Sequence, residues 1–274
     1  MSEPHLDDGL LQNYLEESRE LLANIDGYLL AMERDGAEID EQLVNRVFRA
    51  AHSIKGGAGF FDLLKIRELA HKIENVLDLM RSRQMVPTPA VVSVLLRGFD
   101  KLRELILNYR ESGEVDIAEL VAVVAGLTEE HLPAEEKHLV TGRVKVPVPD
   151  ESRHVHASAF DLNQARRNGK SIYLIRYDLI HDIQRQGKTP WEVFKSLIQS
   201  GTILETVVDL HSAGTLDDPP SNQLLLEVLY ATALEPELIG RSVDVPPPRI
   251  VLIEGNARPP ASRVAGAPLL KARP

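Results

Sequence analysis

Apolar residues recur at helical spacing through the first half of the chain. Leu10, Leu11, Tyr14, Leu15, Leu21, Leu22, Ile25, Tyr28, Leu29 and Met32 keep that period, with acidic residues between them. The stripe predicts one amphipathic helix over 7–33, ended by Asp35-Gly36. A second helix is expected over 40–60. A third is expected over 64–84, with Ile66, Leu69, Ala70, Ile73, Val76, Leu77 and Met80 as its apolar face. Pro87 and Pro89 mark a break and a restart, and a Val- and Leu-rich fourth helix follows from Thr88 to Glu111. Gly113 closes it, and Asp116 is placed to cap a fifth helix ending near Leu127. Four long helices with short connections predict an antiparallel four-helix bundle with one helix added.

The pattern then changes. Over 133–154 three prolines, Pro133, Pro147 and Pro149, lie among Lys, Glu and Val with no helical stripe, which reads as a solvated, semi-extended linker. From His154 the polarity alternates. Val155, Ala157, Ala159 and Phe160 suggest a first strand, and Asp161 to Gly169 a short helix with an Asp cap and a Gly stop. Ser171 to Tyr177 is a strong strand of β-branched and aromatic residues. A helical turn is expected over 178–186, and Thr189-Pro190-Trp191-Glu192 opens a helix that Gly201 stops. Strands are expected at Thr202–Leu210, Gln223–Leu234 and Ile250–Ile253, with a turn at 217–221. Such an order implies a small α/β sandwich, roughly ferredoxin-like. The fold class is therefore multidomain, α followed by α+β. The expected units are a bundle over 1–132, a linker over 133–154, an α/β domain over 155–256 and a disordered Pro/Ala/Arg-rich tail over 257–274.

Composition narrows the function. The 274 residues are 43% hydrophobic and 26% charged, as in ordinary globular proteins. A net charge of −10 and a pI near 5.4 argue against a nucleic-acid partner, which calls for a basic face. The chain has no cysteine, so disulfides, thiolate zinc sites and cysteine nucleophiles are excluded. No apolar run reaches the ~18 residues of a membrane span. Met1-Ser2-Glu3-Pro4 does not read as a secretory signal, so a cytoplasmic protein with no membrane partner is expected.

The candidate chemistry lies in Ala51-His52-Ser53-Ile54-Lys55-Gly56-Gly57-Ala58-Gly59. A bare histidine in a helix is more often structural than reactive. Here three glycines crowd the next turn, each costing a helix about 1 kcal/mol relative to Ala. The simplest reason to keep them is that something must come close. Lys55 lies on the same helical face as His52 and offers a cation beside the ring. An accessible imidazole beside a cation suggests chemistry on an anion, best a phosphoryl group.

The string H-S-x-K-G-G-A-G-x-F resembles the phosphorylation-site motif of histidine-phosphotransfer (HPt) domains, above all the N-terminal domain of the chemotaxis kinase CheA. His71-Lys72-Ile73-Glu74-Asn75-Val76-Leu77-Asp78 looks like the next helix of that domain, with its H-x-x-E pair. The resemblance covers about residues 7–130. It implies that Glu74 holds Nδ1 of His52, leaving Nε2 to attack, with His71 as a supporting residue nearby. Lys55 would steady the phosphoryl oxygens, and Gly56, Gly57 and Gly59 would let a partner's aspartate approach. Ser53 and Lys72 are weaker candidates that read equally well as solvated.

The same resemblance sets the partners. A histidine kinase catalytic domain would donate the phosphoryl group and a response-regulator receiver domain would accept it, bringing Mg²⁺ on its own chain. No cofactor is expected on this one. A chemotaxis kinase also carries dimerisation, ATP-binding and coupling domains, for which 274 residues leave no room, and residues 155–256 contain no Gly-rich nucleotide box. Three functions follow: a phosphocarrier, an N-terminal piece or split subunit of a CheA-type kinase phosphorylated in trans, or a non-catalytic adaptor for response regulators. The domain over 155–256 stands where CheA places its regulator-docking domain, which suggests a docking or regulatory role. Asp178, His181 and Asp182 would share a helical face, but exposed charged turns are commoner than metal sites, so no metal is assigned. Trp191 and Phe194, three apart on a helix, read as core.

Overall fold

The first helical stripe is broken at its middle. In the computed structural model, which describes residues 8–148, 154–183, 187–209, 224–243 and 245–255, α1 (Asp8–Leu22) and α2 (Ile25–Asp35) replace the single helix expected over 7–33. The cause sits at the joint. Arg103, on α5 (Pro89–Leu107), donates to the Leu22 carbonyl at 3.1 Å and to the Asp26 carboxylate at 2.5 Å. A carbonyl that would continue the helix is thus taken by a side chain. The apolar stripe survives the break: Tyr14, Leu15, Leu22, Ile25, Leu29 and Met32 are all buried.

The other arms start where their caps place them. The Asp40 carboxylate accepts from Gln42 N at 2.9 Å and opens α3 (Glu41–Phe60). α4 (Leu64–Arg81) follows after a three-residue turn over 61–63. Thr88 caps α5, with Pro89 in its first turn. Asp116 accepts from Ala118 N at 2.9 Å ahead of α6 (Ala118–Glu130). The α1–α2 arm, α3, α4 and α5 make the bundle, and α6 lies against α4 and α5.

Over 133–148 the chain is not the solvated linker that the prolines of 133–154 suggest, and residues 149–153 lie outside the described residues. A 3₁₀ turn over Ala134–Leu139 leads into β1 (Arg143–Pro147), which pairs antiparallel with β2 (His154–Ser158). Val146 and Val148 are buried in a small cluster with Val155, Ala157, Leu162 and Leu204. Pro147 closes its strand, a position where the missing N–H is harmless, so the proline concealed a strand rather than preventing one.

Beyond β2 the chain forms α7 (Ala159–Arg167), β3 (Ser171–Asp178), α8 (Pro190–Ser200), β4 (Thr202–Asp209), β5 (Leu225–Thr232), α9 (Pro236–Val243) and β6 (Ile250–Glu254). The four-stranded sheet has the order β4-β5-β3-β6, with every neighbouring pair antiparallel. From β3 onward the sequence of elements is β-α-β-β-α-β, the ferredoxin-like arrangement expected. The detail differs in three places. The strand expected to run to Phe160 stops at Ser158 and joins the β1 hairpin instead of the sheet. Ser158, not Asp161, caps α7, its hydroxyl accepting from Asp161 N at 3.2 Å. The helix α9 was not expected. The turn over 178–186 is a π-helical turn at Leu179–Ile183. The turn expected at 217–221 and the tail over 257–274 lie outside the described residues.

The two units share one hydrophobic core. α8 and β4 both lie against α3. The Trp191 ring meets Tyr14 edge-on at 5.4 Å, and Phe194 meets Phe60 at 5.4 Å. Indole Nε1 of Trp191 donates to Glu17 at 2.7 Å, satisfying the one polar atom of a ring that is otherwise buried.

Candidate functional site

His52 sits in the second half of α3, and α4 returns alongside it to bring Glu74 level with the ring. Nδ1 of His52 lies 2.8 Å from a Glu74 oxygen. The Lys55 ammonium reaches the same carboxylate at 3.1 and 2.9 Å. Phe48, one turn before His52, stacks nearly parallel on the imidazole at 5.8 Å. The other ring nitrogen is also engaged: the Ile203 backbone N–H, in β4, donates to Nε2 at 3.2 Å. A nitrogen that accepts a hydrogen bond carries a lone pair, so these partners assign the ring proton to Nδ1, facing Glu74. The reactive tautomer is therefore set from both sides.

All three side chains are buried. His52 is 2% exposed, Lys55 6% and Glu74 5%. Burial alone would push the Glu74 carboxyl up, but Lys55 and His52 outweigh it and hold the carboxyl at about 2. Burial likewise works against a charged Lys55, and the carboxylates of Glu74 and Asp161 reverse that and raise its pKa.

Asp161, on α7, completes the charge cluster. Its carboxylate stands 3.0 Å from His71 Nε2 and 3.6 Å from Lys55 Nζ. Burial opposes its ionisation, and His71 and Lys55 together hold it well below the usual carboxylate range. His71 thus reaches the site through Asp161. Lys72 donates to the Val140 carbonyl at 2.9 Å and ties down the segment before β1, so it is not simply solvated. Ser53 is half-buried.

The glycine face expected to receive a partner is covered by the chain itself. A methyl at Gly56 would lie 3.8 Å from Ile203 and 3.9 Å from Ile198. A methyl at Gly57 would overlap the rings of Tyr14 and Trp191, and one at Gly59 would lie 3.3 Å from Thr206 Oγ1. Two clefts flank the site. One of about 280 Å³ reaches the His52 ring and is lined by Arg49, Arg81 and Lys170. Another of about 350 Å³ opens beside Lys55, with Arg67, Lys72 and Arg143 on its walls.

Sequence reasoning missed Asp161, Ile203 and Glu205. In the sequence Asp161 reads as a helix cap. Ile203 acts through its backbone, which leaves no side-chain signature. Glu205 accepts from Arg67 of α4 and, at 3.0 Å, from Arg143 of β1. Its signal was present: a carboxylate, 6% exposed, in the otherwise apolar strand TILETVVD. Asp178, His181 and Asp182 serve the turn they sit in. Asp178 accepts from Ile180 N, His181 N and His181 Nδ1 at 3.0, 3.2 and 2.7 Å, while Asp182 accepts from Asp178 N and Arg249.

A family model for the Hpt domain matches residues 9–111. The N-terminal bundle is an Hpt domain. Chemotaxis protein CheA of Rhizobium meliloti is 40% identical over 123 residues, which cover 44% of this chain and 16% of the relative. That of Salmonella typhimurium is 33% identical over 124 residues, covering 45% and 18%. That of Bacillus subtilis is 26% identical over 202 residues, covering 72% and 29%. The chain thus resembles the N-terminal part of CheA, and the matched segments span less than a third of these relatives. The chain is thus similar, over its Hpt domain, to proteins named for chemotaxis. Among the described residues, no helix is long and apolar enough to cross a membrane.

Proposed function

We propose that this protein is a phosphocarrier, in which His52 accepts a phosphoryl group from a histidine kinase catalytic domain and passes it to an aspartate of a response-regulator receiver domain. The observation that carries this reading is the proton on Nδ1 facing Glu74, with a lone pair left on Nε2. In the first step that lone pair forms the N–P bond to the γ-phosphorus of ATP on the kinase. The P–O bond to ADP breaks, and ADP leaves with the electron pair. Positive charge developing on the ring is shared with the Nδ1 proton and offset by Glu74, a carboxylate kept ionised in a buried site. In the second step an aspartate oxygen of the regulator forms the new O–P bond, and the N–P pair returns to Nε2. Lys55 stands ready for the phosphoryl oxygens. Mg²⁺ is brought by the regulator, so this chain needs no cofactor of its own. A cytoplasmic setting, where kinase and regulator meet, goes with this role.

The alignment with the Bacillus subtilis relative runs past the Hpt domain, because its 202 residues exceed the 103 of the family match. That favours a second reading with the same chemistry: the chain acts as the N-terminal portion or a split subunit of a CheA-type kinase, phosphorylated in trans. Uptake of radiolabel from ATP, alone and then with candidate kinase catalytic domains, tests both. Acid-labile label on the wild type but not on His52→Gln supports the phosphoacceptor role. Absence of label with every donor leaves a non-catalytic adaptor.

A further inference from the structure

We propose that the α/β unit of this chain is an intramolecular lid over His52, and that docking of the lid and phosphorylation of His52 exclude each other. The inference rests on the phosphoacceptor reading. It begins from what β4 and α7 occupy. The Ile203 N–H holds the lone pair of Nε2 at 3.2 Å, and the ring is 2% exposed, bordering only a cleft of about 280 Å³ that is far smaller than a protein domain. Asp161 sets a carboxylate 3.6 Å from Lys55, where phosphoryl oxygens would need that cation. Ile198, Ile203 and Thr206 cover the face cleared by Gly56 and Gly59. The lid therefore fills each of the three features that a phosphoryl donor needs: the nucleophile, the cation and the landing face.

Phosphorylation cannot occur beneath it. A phosphorus bonded to Nε2 would stand in the 3.2 Å gap now spanned by one hydrogen bond. Non-bonded heavy atoms require about 3.5–4.0 Å, and three oxygens must also be housed. β4 has to leave before the bond forms and cannot return while it lasts. Linkage makes the effect mutual: whatever docking subtracts from phosphorylation, phosphorylation subtracts from docking. The open form uncovers the bundle-facing side of α8 and β4, with Trp191, Phe194 and Ile203, all now buried. The charge state of His52 is thereby converted into exposure of a second surface. The interface is built to separate as well as to close, since apolar contacts alternate with ion pairs that water can replace: Glu17 with Lys195 at 2.6 Å, Glu205 with Arg67, and Asp161 with His71.

The test locks the lid. The chain has no cysteine, so one engineered pair is unambiguous. In Gly59→Cys/Thr206→Cys, the new Cβ at 59 lies 3.3 Å from the Oγ1 position that a sulfur at 206 would take, which suits a disulfide. The full-length variant, oxidised and then reduced, is treated with phosphoramidate, a small phosphoryl donor that needs no partner protein. In parallel, carbethoxylation of His52 by diethyl pyrocarbonate is mapped by mass, which reads access to the ring without phosphotransfer. Both reactions are expected to be roughly tenfold slower or more in the oxidised form, because only the open fraction reacts. Phosphorylated wild type is expected to show red-shifted emission from Trp191, the chain's single tryptophan. Equal carbethoxylation in both forms overturns the lid, as does unshifted emission after phosphorylation. Slower carbethoxylation with no phosphoryl label in either form overturns the phosphoacceptor reading while the occlusion of His52 stands.

Discussion

Glu74 and His52 are joined by a 2.8 Å hydrogen bond that ties α4 to α3 across 22 positions of sequence. The bond fixes which ring nitrogen is free, so its loss should tell on chemistry more than on folding. Glu74→Gln keeps the side chain's size and gives up its charge. We expect labelling of His52 by phosphoramidate to slow by about 10²-fold, the lower range for a lost acid–base partner. Thermal unfolding should remain a single cooperative transition. An unchanged labelling rate would assign the tautomer to some other group.

Gly56 and Gly57 are neighbours in one helix with opposite surroundings. A methyl at 56 would make ordinary contacts at 3.8 and 3.9 Å with Ile203 and Ile198. Gly56→Ala should therefore keep most of the helix gain of about 1 kcal/mol. A methyl at 57 would run into the Tyr14 ring, whose hydroxyl is anchored to the Ile54 carbonyl at 3.0 Å. Gly57→Ala should destabilise by about 1–3 kcal/mol, the range for an overpacked core. Urea unfolding of the two variants checks the sign of each.

Acid should loosen the site in a defined window. Glu74 and Asp161 both have carboxyls depressed in the folded protein, Glu74 to about 2. Their contribution is complete above the unfolded values near 4 and is lost as pH falls toward the folded ones. Asp78, whose burial raises its carboxyl, acts in the opposite sense. The expected net result is a fall in unfolding free energy between about pH 5 and about pH 2.5, made shallower by Glu74→Gln. A flat profile for the wild type over that window would contradict the depressed carboxyls.

Much of this was legible in the chain, and the rest was hidden for physical reasons. The His52–Lys55 spacing, the glycines and the H-x-x-E of His71–Glu74 lie on single helices, where an i, i+3 rule places side chains together without knowledge of the fold. The ferredoxin-like order could be read because β3 and β5 are long, eight-residue runs rich in apolar and aromatic residues. β1 could not, since its alternation is carried by Val144, Val146 and Val148 alone and ends among prolines. The break between α1 and α2 depends on Arg103, 81 positions beyond Leu22. Docking of the α/β unit on His52 rests on a backbone N–H and on Asp161, whose local sequence is that of a helix cap. Contacts between distant segments leave only weak marks in sequence, such as the lone carboxylate Glu205 in an apolar strand.

Asp161 and Glu74 touch the same lysine from opposite units, and their removal should have opposite consequences. Glu74 belongs to the bundle and holds the reactive tautomer. Asp161 belongs to α7, faces Lys55 at 3.6 Å and His71 at 3.0 Å, and helps to keep the lid closed. Asp161→Asn keeps the shape and removes the charge. Loss of one partner from a buried pair costs about 3–5 kcal/mol when nothing replaces it. Lys55 retains Glu74, so the lower end applies, and it falls on the docked state in particular. Labelling of His52 should accordingly rise by about 10²-fold, up to the rate of the fully open form, and Trp191 emission should shift to the red before any phosphorylation. Side by side, Glu74→Gln slows labelling and Asp161→Asn speeds it. Slower labelling in both would place Asp161 among the groups that serve the reaction, and would remove one of the contacts on which occlusion of His52 is argued.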